Sequence, residues 1–112
     1  MNDLIRPAFY DAYHEIIPLN RKSGSLLKSD VVGPICESGD FFCHDRPLPK
    51  INQGEYLALM SAGAYGSVMS SNYNTRPLPA EVLVRGRQAA LVRERQLVTK
   101  IWHGERLASW QA

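Results

Sequence analysis

A thiol and a carboxylate stand side by side at Cys36 and Glu37, inside the stretch GPICESGD at residues 33–40. A cysteine thiol titrates near ~8.5 when unperturbed, so it can give or take a proton near neutral pH once its surroundings tune it. An adjacent anion disfavours the thiolate. The pair therefore suits a neutral proton donor beside a seat for a cation better than it suits an activated nucleophile. The plain structural alternative is a small packed cysteine next to a solvated acid. Arg6 and Tyr10 form a second set, because a planar guanidinium binds a carboxylate through two hydrogen bonds and a phenol can donate to the same anion. Tyr65 lies among small residues in SAGAYGSVMSSNYN. That context lets backbone approach a ligand while the ring packs against it, and it equally describes a strand end with a packed tyrosine.

The histidines add less. His14 reads as a strand residue, His44 as a loop residue and His103 as part of a helix or tail, and none has a nucleophile and an acid at recognisable spacing. Cys36, Cys43, His44 and His14 lack the CxxC spacing of a zinc site, so no metal is expected. With nothing pointing to secretion, the two cysteines are expected to be reduced.

The elements that position these groups are short. NDLIRPAFYDAY can begin a helix with Asn2 or Asp3 as cap and Pro7 confined to its first turn, since proline has no N–H to donate. Arg6 and Tyr10 then project toward the same region, with Arg6 at or just outside the helix start. HEIIPLN holds a short β-favouring core closed by Pro18. LLKSDVVGPI carries a strand into Val31 and Val32 before Gly33 and Pro34 break it, which leaves Cys36 and Glu37 just past a strand end. RPLPKINQGE is expected as a turn-rich connection, and EYLALMSAGAYG as a largely buried strand ending at Gly63 and Gly66. AEVLVRG and RQAALVRER form a hairpin pattern around Gly86. The tail LVTKIWHGERLASW is weakly helical, interrupted by Gly104. Several short strands with frequent Gly and Pro predict an antiparallel sandwich or barrel rather than an α/β unit.

Composition narrows the functional classes. The chain has 112 residues, 45% of them hydrophobic, which fits one ordinary domain and leaves no room for a second core. Its net charge of +2 comes from 13 basic and 11 acidic residues that are interspersed, so no field large enough for nucleic acid develops. The densest basic run, RGRQAALVRER, reads as the solvated face of a hairpin. No stretch approaches the ~18 apolar residues of a membrane span. MNDLIRPAFY has none of the parts of a signal peptide, and the expected compartment is the cytoplasm.

Taken together, MNDLIRPAFYDAYHEI, DVVGPICESGDFF, SAGAYGSVMSSNYNTRPLPAEVLV and the Arg-rich strand that follows closely resemble the C-terminal part of the diaminopimelate decarboxylases. Related basic amino acid decarboxylases share the cysteine loop but usually follow Cys with Asp, whereas Glu37 follows it here. The resemblance implies a fold-type III, pyridoxal 5'-phosphate-dependent carboxy-lyase that converts meso-2,6-diaminopimelate to L-lysine and CO₂ in lysine biosynthesis. It implies that Arg6 and Tyr10 bind substrate carboxylate, that Cys36 donates the proton, that Glu37 meets a substrate ammonium, and that Tyr65 contacts cofactor and substrate. It also implies a homodimer in which the cysteine loop enters the partner's active site.

The same resemblance makes residues 1–112 a mainly β, Greek-key-like C-terminal domain, with short helices in its N-terminal segment and near its C-terminus. It lacks the (β/α)₈ barrel that carries the Schiff-base lysine, the ring-stacking histidine and the phosphate loop. Lys22, Lys28, Lys50 and Lys100 do not match the cofactor lysine's context, so the chain is expected to be a fragment, inactive alone. The competing expectations are a decarboxylase for ornithine, arginine or carboxynorspermidine, and a non-catalytic β dimerisation module.

Overall fold

The computed structural model describes residues 1–111. These fall into two units, Met1–Ser70 and a second from Ser71 onward. In the first, a short helix α1 (Arg6–Tyr10) precedes strands β1 (Ile16–Pro18), β2 (Leu26–Val32), β3 (Phe41–Pro49) and β4 (Leu57–Leu59), and helix α2 (Gly63–Val68) follows. β2 pairs antiparallel with β3, and β1 with β4. The second unit is the hairpin of β5 (Glu81–Arg85) and β6 (Gln88–Arg93), flanked by single 3-10 turns at Tyr73–Thr75 and Val98–Lys100. The class is mainly β and antiparallel, with helix in the N-terminal segment and a helical turn near the C-terminus. The described strands form three two-stranded sheets and no closed barrel.

Ile16, Cys43 and Leu48 make the core of the first unit, with Val31, Phe42, Leu57 and Leu59 packed against them. Cys43 and Leu48 lie an odd number of positions apart, so a regular strand would send them to opposite faces. A bulge corrects this. Ser29 pairs with Arg46 but Val31 with Cys43, which inserts one extra residue on β3. Asp45 takes a left-handed φ of 49° there, and its N–H donates to Asp30 Oδ1 at 2.7 Å.

Several expected boundaries differ. RPLP is strand rather than connection: Pro47 and Pro49 stand two apart, so both missing N–H groups fall on the edge that a two-stranded ladder leaves unpaired. EYLALMSAGAYG is not one strand. β4 stops at Leu59, Ser61 turns the chain at φ 54°, and the small residues beyond it form α2. α1 begins at Arg6 itself with Ile5 before it and no side-chain cap; Asn2 instead donates to Asp3. Asp11, left-handed at φ 53°, ends that helix with its N–H on the Arg6 carbonyl.

His14 precedes β1 and is buried, its Nδ1–H donating to the Met60 carbonyl at 3.0 Å, while Arg46 donates to the His14 carbonyl. His44 belongs to β3, not to a loop, with its ring against Phe41 and its Nδ1 3.3 Å from Asp30. The hairpin matches expectation: Gly86 supplies φ 59° to the turn, and Arg93 pairs with Glu81 across the strands at 3.0 Å.

One loop carries a pH expectation. Glu55 accepts the Asn52 N–H at 2.7 Å and pairs with Lys22, and these contacts, the backbone one first, hold its carboxyl below the ordinary carboxylate range. A folded value below the unfolded one stabilises above the unfolded pKa, and that contribution is lost as pH falls through the folded pKa. Amide-exchange protection of Asn52 is expected to fall in that acid range. Glu55→Gln should abolish the acid step, and a step persisting in that variant would assign it to another group.

Candidate active site

α2 is held against the N-terminal segment by its buried Gly66, whose missing Cβ would stand 3.6 Å from Leu4 Cδ1. That contact brings Tyr65, the preceding residue, beside α1. The Arg6 guanidinium carbon lies 5.6 Å from the centre of the Tyr65 ring. Tyr10 follows Arg6 by one helical turn and meets Phe9 edge to face at 4.7 Å. Arg6, Tyr10, Tyr65, Val68 and Met69 line an open hollow of about 490 Å³.

Among the described residues no carboxylate pairs with Arg6. Its guanidinium lies within cation–π reach of the Tyr65 ring. Tyr65 and Tyr10 are both exposed, so the hollow presents two phenols and a cation beside the apolar side chains of Val68 and Met69.

Cys36 and Glu37 occupy the loop that joins β2 to β3, and neither lines this hollow. Cys36 is exposed, whereas Cys43 is buried in its own core position. The Glu37 carboxylate bends back to accept the Gly39 N–H at 3.1 Å. Loop shape is set by a residue that sequence reasoning passed over. Asp40, 3% exposed, accepts the Gly33 N–H on its carbonyl at 2.8 Å and the Ile35 N–H on Oδ2 at 2.7 Å, while Oδ1 meets the nitrogen of Met1.

Gly33 is required by close approach, not by its backbone angles: a methyl group there would stand 2.2–2.5 Å from the Asp40 carboxylate atoms. The legible signal was an acid directly ahead of an apolar strand, at the far end of a loop opened by glycine. The structure thus joins Arg6, Tyr10 and Tyr65 in one place and sets Cys36 with Glu37 in another. Among the described residues no three His, Cys, Asp or Glu side chains converge as a metal site, and no helix is long and apolar enough to cross a membrane.

Residues 1–63 match the family model described as "Pyridoxal-dependent decarboxylase, C-terminal sheet domain". The chain belongs to the pyridoxal-dependent decarboxylases, of which this is the C-terminal sheet domain. The match contains Arg6, Tyr10, Cys36 and Glu37, and ends just before Tyr65.

The relatives it matches carry the name diaminopimelate decarboxylase. The chain is 55% identical to the diaminopimelate decarboxylase of Aquifex aeolicus over 96 residues, which are 86% of this chain and 23% of that protein. Its identity to the Zymomonas mobilis enzyme of the same name is 47% over 110 residues, 98% of this chain and 26% of that one. The crystal structure of the diaminopimelate decarboxylase from M. jannaschii in co-complex with L-lysine matches with a TM-score of 0.92 at 38% identity, over 100% of this chain and 26% of its own. The chain therefore spans about a quarter of the length of the relatives it matches.

Proposed function

We propose that this chain supplies part of the active site of a diaminopimelate decarboxylase, a cytoplasmic homodimer that converts meso-2,6-diaminopimelate to L-lysine and CO₂. The observation that carries this is the convergence of Arg6, Tyr10 and Tyr65 on one open hollow in a chain 55% identical to such an enzyme. The hollow fits pyridoxal 5'-phosphate as a wall, with Tyr65 offering an aromatic face. Lys22, Lys28, Lys50 and Lys100 do not line it, so the residues that anchor the cofactor belong elsewhere. When bound, the cofactor supplies an electron sink for the bond that breaks as CO₂ leaves.

The chain's own residues recognise, orient and protonate. Arg6 and Tyr10 clamp a substrate carboxylate, which fixes the amino acid end in one orientation. Glu37 exchanges its hydrogen bond with Gly39 for a substrate ammonium. Cys36 gives its S–H proton to the carbon that has lost CO₂, forming the new C–H bond, and solvent then returns a proton to the thiolate. The loop and the hollow are separate places in one chain, which supports a reading in which the loop serves the hollow of a second copy.

The test is CO₂ release by a complete enzyme in which this chain replaces the matching quarter of the Aquifex aeolicus relative. A site that pairs both charged ends is expected to favour meso-diaminopimelate over ornithine and arginine by about 10⁴-fold in kcat/KM. Comparable turnover of ornithine would assign the chain to another basic amino acid. No turnover by a cofactor-loaded dimer would mark it as a non-catalytic module.

A further inference from the structure

We propose that Asp40 is a positioning residue for this reaction, a carboxylate inside the cysteine loop that sets the aim of Cys36 and Glu37. The inference rests on the functional reading above only for its kinetic consequence; the conformational part stands on the loop itself. Asp40 is nearly solvent-free, at 3% exposed, and a carboxylate is seldom found there unless hydrogen bonds compensate its lost hydration. Its contacts reach both sides of the reactive pair, the oxygens before Cys36 and the backbone N–H at Glu37. Oδ2 takes the Ile35 N–H at 2.7 Å, directly before Cys36, and the Asp40 carbonyl takes the Gly33 N–H at 2.8 Å. On the other side its own N–H donates to the Glu37 carbonyl at 2.9 Å.

Cys36 and Glu37 therefore sit on the outside of a turn whose inside is filled by one side chain. The absent Gly33 Cβ is the complementary half of this fit, since the carboxylate occupies the space it would need. A carboxylate that accepts a backbone N–H makes one of the stronger hydrogen bonds, and this one ties the Asp40 side chain to the residue before Cys36. Asparagine keeps the size of Asp40 but removes its charge and replaces one acceptor oxygen with a donor, which weakens the acceptor offered to the Ile35 N–H.

The experiment uses Asp40→Asn in the complete enzyme described above. Alkylation of Cys36 by iodoacetamide, followed by mass spectrometry of its peptide, reads the loop without reference to turnover. The variant is expected to react at least about threefold faster, because a loosened loop exposes the thiol in more orientations. An unchanged rate would overturn the proposal. Gly33→Ala, which crowds the same carboxylate without removing it, should give the same acceleration and serves if Asp40→Asn does not fold.

Kinetics form the second arm. Asp40→Asn is expected to lower kcat by about tenfold through misalignment. In a Cys36→Ser background it should cost little more, because residues acting through one group are not additive. Full additivity would reduce Asp40 to a structural residue. If Cys36→Ser leaves kcat intact while the alkylation change persists, the proton-donor reading fails and the positioning of the loop by Asp40 survives.

Discussion

Replacing Cys36 by alanine is expected to lower kcat of the complete, cofactor-loaded enzyme by about 10²–10⁴-fold, the usual worth of a positioned proton donor, with KM nearly unchanged. The split follows from the thiol's place. Cys36 is exposed at the loop tip and packs into no core, so its removal leaves no cavity behind. In the proposed reading substrate binding falls to Arg6, Tyr10 and Glu37, which the substitution leaves alone. Cys43 is the internal control. It is 6% exposed and packs with Ile16 and Leu48, so Cys43→Ala should lower the melting temperature and leave kcat of the folded fraction as it was. A variant at Cys36 that keeps full kcat would remove the thiol from the reaction, and stopped-flow single turnovers would show whether protonation had ever been limiting.

Arg6→Ala is the second large effect, a fall in kcat/KM of roughly 100-fold, as the loss of charge-assisted hydrogen bonds to a carboxylate commonly gives. Lysine should rescue it poorly, since a point charge cannot reproduce the two-pronged contact. Arg6 has a second neighbour in the Tyr65 ring, 5.6 Å away, and that must be separated from the anion's share. Tyr65→Phe keeps a π face and should leave the Arg6 contact standing, whereas Tyr65→Ala removes both ring and wall. Steady-state kinetics across substrate concentration would distinguish these, because the Arg6 defect is expected mainly in KM. A normal KM in Arg6→Ala would take the guanidinium out of substrate recognition.

The chemistry of the site was more legible than its architecture. Cys36 with Glu37 and Arg6 with Tyr10 are conspicuous because their side-chain types suit the proposed chemistry and local punctuation brackets them. The β5–β6 hairpin was legible for a similar reason: apolar alternation and Gly86 both act over a few residues. α2 was hidden because LALMSAGAYG looks alike as a buried strand and as a helix packed through a small residue. Only the contact of Gly66 with Leu4, far away in sequence, decides between them. The continuation of β3 through Pro47 and Pro49 depends on which strand edge stays unpaired, a fact of pairing rather than of composition. Asp40 was missed because a lone acid after Ser-Gly reads as one more turn former. Its burial against Gly33 appears only when the loop closes.

The most direct test of the composite site mixes two crippled subunits of the complete enzyme, one carrying Cys36→Ala and the other Arg6→Ala. Assayed at substrate concentrations well below KM, each homodimer should be nearly inactive. If the loop of one subunit serves the hollow of the other, a mixed dimer has one site with both defects and one with neither. Random reassortment should then restore about a quarter of the unmodified activity. Mixed dimers confirmed by mass that recover no activity would mean that Cys36 and Arg6 serve the same subunit's site.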